Sequence, residues 1–69
     1  MPSAVIKRFD YLPDSGELLI EFTSGRRYVY TGVAEEAAQR FRGAFAKGLY
    51  FNRYIRDRYP SREIEPSAG

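Results

Sequence analysis

The sequence predicts an α+β domain: a three-stranded antiparallel β-meander followed by two helices packed on one face, β-β-β-α-α. Three observations lead there. Apolar and polar residues alternate as far as Tyr30, interrupted by two glycine-bearing turns. From Ala34 the period changes to that of a helix. The chain has 69 residues, room for one domain. A sheet with one apolar face needs a cover, and helices with apolar stripes supply it.

Val5 to Tyr11 reads as the first strand. Val5, Phe9 and Tyr11 alternate with Arg8 and Asp10, while Ile6 breaks the pattern. Leu12-Pro13-Asp14-Ser15-Gly16 is a turn: proline presets φ, Asp and Ser bond local backbone, and Gly accepts positive φ. Glu17 to Thr23 is the clearest strand, with Leu18, Ile20 and Phe22 on one face and Glu17, Glu21 and Thr23 on the other, as in a sheet wet on one side. Thr23-Ser24-Gly25-Arg26 makes a second, hairpin-sized turn. Arg27 to Tyr30 is the third strand, with Tyr28 and Tyr30 sharing a face opposite Arg27 and Val29.

Thr31-Gly32-Val33 ends the sheet. Ala34 to about Lys47 has helical period, with Ala34, Ala37, Ala38, Phe41, Ala44 and Phe45 as its apolar stripe. Glu35 and Glu36 in the first turn and Lys47 in the last suit the helix dipole, and Gly48 is placed to end the helix in the left-handed region. Gly43 lies inside this helix at a cost of about 1 kcal/mol relative to Ala. Leu49 to about Arg58 is a second helix, with Phe51, Ile55 and Tyr59 on one side and Asn52 a candidate cap. Tyr59-Pro60 stops it. Residues 1–59 form the domain, and residues 60–69, polar and poor in apolar surface, are expected to be a disordered tail.

A domain this small often relies on disulfides or a structural metal. This chain has neither cysteine nor histidine, so a zinc site with its usual ligands is excluded and packing must supply the stability. Five Phe and six Tyr are the means. No cofactor and no metal are expected. Without a signal-like apolar run near the start or an 18-residue apolar stretch, no membrane association and a cytoplasmic location are expected.

The net charge of +2 hides an asymmetry. Between residues 40 and 62 stand Arg40, Arg42, Lys47, Arg53, Arg56, Arg58 and Arg62 against Asp57 alone. The first 39 residues carry Lys7, Arg8, Arg26 and Arg27 against six carboxylates. A cationic, arginine-rich half suits phosphate and base stacking, and equally describes a solvated helix surface.

Several of these residues together resemble a known pattern: Ser3, Tyr11, Leu18-Leu19-Ile20-Glu21-Phe22, Gly25, Tyr28-Val29-Tyr30 and Val33, then Phe41, Ala44, Lys47-Gly48, Tyr50-Phe51-Asn52, Ile55-Arg56 and Tyr59. The chain is similar to the KTSC domain family, named after the C-terminal segment of some lysyl-tRNA synthetases and found also as a stand-alone protein. Two positions depart from that pattern: Ala34 where proline usually follows the valine, and Ala46 where serine usually precedes Lys-Gly. The resemblance implies a domain of unknown function for which RNA binding has been suggested from its attachment to a tRNA synthetase, an analogy, since fold membership does not fix function.

For catalysis the residue types are poor. Thiol and imidazole chemistry are absent, Glu17 and Glu21 lie on a wet strand face, Glu35 and Glu36 start a helix, and no phosphate-cradling glycine loop occurs. The chain reads as a non-enzymatic binding module without catalytic residues. Tyr28 and Tyr30 are either a base-stacking platform or part of the core. Lys47-Gly48-Leu49-Tyr50-Phe51-Asn52-Arg53 is either a contact segment or a helix junction with Phe51 and Ile55 buried and Lys47, Arg53 and Arg56 outward. The expected nucleic-acid contacts are Lys47, Tyr50, Asn52, Arg53, Tyr54 and Arg56, with Arg26 and Arg27 as a second basic spot; Tyr28, Tyr30, Gly48, Phe51 and Ile55 are the structural part of the motif. The expected partner is RNA or another nucleic acid, approaching from the helical side because Glu17 and Glu21 repel phosphate on the sheet. The alternative is a protein-interaction module using a sheet edge or an exposed aromatic patch such as Leu49, Tyr50, Tyr54 and Val29.

Overall fold

The structure, a computed structural model, describes residues 6–64. The expectations for Ser3, Val5 and the last five residues lie outside that range. Strands β1 (Ile6–Leu12), β2 (Glu17–Phe22) and β3 (Arg27–Tyr30) are followed by helices α1 (Glu35–Gly43) and α2 (Lys47–Tyr54) and a fourth strand, β4 (Ser61–Ile64). The sheet is antiparallel throughout in the order β1-β2-β3-β4.

The three-stranded expectation is thus corrected to four, and the expected tail is ordered at least through Ile64. Apolar content was the wrong criterion there. A strand also orders where its backbone finds partners, and β3 otherwise ends the sheet with unpaired N–H and C=O groups. Arg27, Tyr28, Val29 and Tyr30 pair with Ile64, Glu63, Arg62 and Ser61. The Pro60 carbonyl accepts from the Thr31 N–H at 3.0 Å, and Arg26 Nε meets Glu63 Oε2 at 3.3 Å.

Both hairpin turns form as the residues dictate. Gly16 and Gly25 have φ of +71° and +94°, and their N–H groups bond back to the Leu12 and Phe22 carbonyls at 2.8 Å. The irregularity at Ile6 has a local cause. The β1–β2 register shifts between Ile6 and Arg8, a bulge at Lys7 that returns Ile6 to the face of its partner Phe22, where it packs against the core.

The core lies between the sheet and the helices. Leu18, Ile20 and Tyr30 from the sheet meet Val33, Ala38 and Phe41, then Phe51 and Ile55, all buried. Edge-to-face ring contacts link the layers: Phe9 to Phe41 at 4.7 Å, and Phe22 and Tyr30 each to Phe51 at 5.4 Å. Tyr28 and Tyr30 therefore face the helices, Tyr30 buried and Tyr28 half-buried against Phe22. The opposite face carries Leu19, Glu21, Arg27 and Val29.

The helices break earlier than the apolar stripe suggests. α1 ends at Gly43, and Ala44 caps it in an extended conformation. Phe45 consequently leaves the stripe and is fully exposed. Gly48 does not terminate a helix; it is the second residue of α2 and is not among the positive-φ glycines. α2 stops at Tyr54, short of Arg58, and Asn52 lies within it instead of capping its start.

Candidate functional site

α2 is short, so the role of each side chain follows from its angle around the axis, about 100° per residue. Phe51 points into the core and Ile55, just past the helix, joins it. Tyr50 and Tyr54, one turn apart, fall on one flank, with ring centroids 4.7 Å apart and planes tilted by 42°. Tyr50 also leans on Phe41 at 6.2 Å, which anchors the pair to the core. Leu49 and Arg53, again one turn apart, face outward. The break at Gly43 swings Ala44, Phe45 and Ala46 alongside.

Together these residues line a shallow groove of about 410 Å³: Ala44, Phe45, Ala46, Leu49, Tyr50, Arg53 and Tyr54. Its apolar surface is open to solvent, with Leu49 63% and Tyr54 48% exposed beside Phe45. Among the described residues, no carboxylate lines it.

The structure separates the residues that the sequence grouped. Tyr50, Arg53 and Tyr54 come together in the groove. Lys47 turns inward instead of outward: its ammonium donates to the Ala44 carbonyl at 3.2 Å and sits 5.9 Å from the Phe9 ring centroid. It thereby still serves the C-terminal end of α1, though it belongs to the first turn of α2. Asn52 lies about 200° around the helix from Tyr50, and its Oδ1 is enclosed with no hydrogen-bond donor among the described residues. Arg56 follows the helix, its N–H bonded to the Phe51 carbonyl at 2.8 Å, near enough to the Tyr30 phenol for its charge to act there.

The other basic residues scatter. Arg40 and Arg42 are two residues apart on α1 and so lie on opposite flanks. Arg62 stands opposite Val29, and Arg27 opposite Glu21 and Ile64, on the sheet face away from the helices. Arg26 pairs with Glu63. On the same open face Glu21 is held by Arg8 at 3.1 Å and Lys7 at 3.9 Å, so its charge is largely balanced. Among the described ion pairs, none involves Arg53 or Arg56.

Sequence reasoning missed Phe45, which it placed on the apolar stripe of the first helix; Val29, named in the aromatic patch of the alternative reading, is buried and cannot join it. Gly43 was the available signal: a glycine that a continuous helix has to tolerate is explained at once if the helix ends there. Among the described residues, no three acidic side chains converge as a metal site would need, and no helix is long and apolar enough to cross a membrane.

A four-stranded antiparallel sheet covered on one face by two short helices, the second bordering an aromatic groove, defines a small α+β domain. The model of the KTSC domain matches residues 2–59, and the chain belongs to that family. It is similar to the crystal structure of a KTSC domain protein from Yersinia pestis, with a TM-score of 0.83 and 36% identity over 94% of this chain and 92% of that one. It is also 33% identical over 61 residues to a lysine–tRNA ligase of Nostoc punctiforme; the match takes in 88% of this chain but 11% of the ligase. The two departures from the family pattern fall at equivalent places: Ala34 and Ala46 are the N-caps of α1 and α2, and neither helix has a side-chain cap.

Proposed function

We propose that this chain is a non-catalytic nucleic-acid-binding module of the cytoplasm that holds RNA against the outer side of α2. The groove carries the reading: exposed Phe45 and Tyr54, half-buried Tyr50 and the Arg53 guanidinium share one surface without a carboxylate. Aromatic faces suit bases and the arginine fork suits phosphate. The similarity to a stretch of a lysine–tRNA ligase, an enzyme whose substrate is tRNA, is consistent with this by analogy. The test is an NMR titration of the labelled chain with single-stranded RNA, tRNA and duplex DNA at two salt concentrations. Shifts should concentrate between residues 44 and 58. Because each single-strand phosphate contact contributes a salt slope of about −0.7, Arg53→Ala with Arg56→Ala should remove up to about 1.4 from its magnitude. Silence with all three ligands overturns the reading.

A protein-docking role is the second reading, favoured by the exposure of Phe45 and Leu49. Contiguous apolar surface of this kind also marks protein contact sites. Such binding would track apolar burial and leave the nucleic-acid titrations flat.

A further inference from the structure

Resting on that reading, we infer that the groove takes unpaired bases of single-stranded RNA and discriminates against duplex, with stacking outweighing phosphate contact. Its chemistry carries the inference. Within a duplex, base faces are covered by their neighbours, and only edges, sugars and phosphates are offered to a protein. Readers of those features need several polar groups. This groove has few: Arg53 and the phenols of Tyr50 and Tyr54 stand among Ala44, Phe45, Ala46 and Leu49. Its lining is mostly apolar, with three aromatic side chains among aliphatic ones, which suits the flat face of an exposed base.

Two further observations point the same way. The groove of about 410 Å³ falls at the lower end of the roughly 300–1,000 Å³ that holds a small organic ligand, a size for one or two bases. Its cationic footprint is small too. Lys47 is turned to Ala44 and Phe9, Arg26 is paired with Glu63, and Arg27 and Arg62 are on the far face of the sheet. Arg53 lines the groove, and Arg56 and Arg58 follow in the turn after α2, one to three phosphate contacts' worth. The salt slope should then be shallow, with a magnitude of about 0.7–2.1.

The Tyr50–Tyr54 pair suits the purpose. Tyr50 packs against Phe41, and Tyr54 packs against Tyr50. A ring held before the ligand arrives loses less freedom on binding.

The experiment compares three ligands on the intact chain: an eight-nucleotide single-stranded RNA, an abasic oligomer of the same length and phosphate count, and the same RNA sequence in a duplex, which carries twice the phosphates. The single strand should bind at least tenfold more tightly than either of the others, with ring-current shifts at Phe45, Leu49 and Tyr54. Tyr54→Ala should weaken it roughly 5- to 150-fold, the span given by loss of one base–aromatic stack, while Tyr54→Phe should retain most of the affinity. Tyr54 is half-exposed, and the amide spectrum of each variant reports whether the fold is intact. Equal binding of duplex or abasic oligomer overturns the stacking inference and leaves nucleic-acid binding standing. No binding by any of the three removes both.

Discussion

The Tyr11 hydroxyl donates to the Val33 carbonyl oxygen at 2.6 Å, joining the end of β1 to the segment that leads from β3 into α1. The Val33 N–H in turn donates to the Gly16 carbonyl at 2.9 Å, so one residue is held from both sides. Val33 is itself buried, and the bond is partly screened from water. Tyr11→Phe keeps the ring's packing against the core and deletes the donor. It should cost about 1–2 kcal/mol, because the carbonyl left behind has little access to water. Urea denaturation reads the change directly, and a loss below about 0.3 kcal/mol would mean that water replaces the phenol.

Neither helix has a side-chain N-cap, and at Ala46 the remedy is local. The residue already has the extended conformation of an N-cap, with φ −109° and ψ 92°. A hydroxyl there can accept from an orphan N–H in the first turn of α2. Ala46→Ser should therefore stabilise the domain by about 1 kcal/mol. At this chain length that corresponds to a Tm increase of roughly 4–8 °C. Ala46→Val, which offers no acceptor, should not reproduce the increase in a thermal melt.

What the sequence disclosed and what it hid divide along physical lines. Leu18, Ile20 and Phe22 alternate with Glu17 and Glu21 because one face is dry, and that face was legible. Phe41, Phe51 and Ile55 were legible for the same reason. β4 was not: its partners are backbone groups of β3, and pairing of that kind leaves no mark in an exposed, mostly polar Ser-Arg-Glu-Ile segment. The groove was half legible. Tyr50, Arg53 and Tyr54 share a helical face at any plausible boundary, but Phe45 reaches them only because α1 stops at Gly43. The scattering of the arginines was hidden as well, since charge along a chain does not say which side of a sheet each residue takes.

Burial pushes the Tyr30 phenol above its ordinary value of 10.0, against the opposing pull of a hydrogen bond with the Ser61 side chain; the charges of Tyr28 and Asp57 raise it further and that of Arg56 lowers it. The unfolded chain releases this proton near pH 10, and the folded chain only at higher pH. Between those points the unfolded state binds fewer protons, so stability falls as pH rises. Below pH 10 the contribution is complete. Unfolding followed from pH 8 to 11 should show a decline beginning near pH 10, and Tyr30→Phe should make that decline shallower. An unchanged pH profile in the variant would assign the loss to other groups.

β4 puts the order of the polar segment to the test. Its side chains are mostly exposed and none joins the core cluster, so its contribution lies in the backbone ladder to β3 and in small links such as Arg26–Glu63. A chain ending after Pro60 should still fold, because Leu18, Ile20, Phe41, Phe51 and Ile55 are all retained. It loses several hydrogen bonds at about 0.5–1.5 kcal/mol each, so a reduction of a few kcal/mol is expected. Amide exchange localises the effect. Protection should fall within Arg27–Tyr30, whose outer partners are gone, while the β1–β2 ladder changes only with global stability. The bared β3 edge, carrying Tyr28, Val29 and Tyr30, should also raise the tendency to self-associate. Equal protection of β3 in the two chains would mean that β4 contributes no lasting pairing in solution.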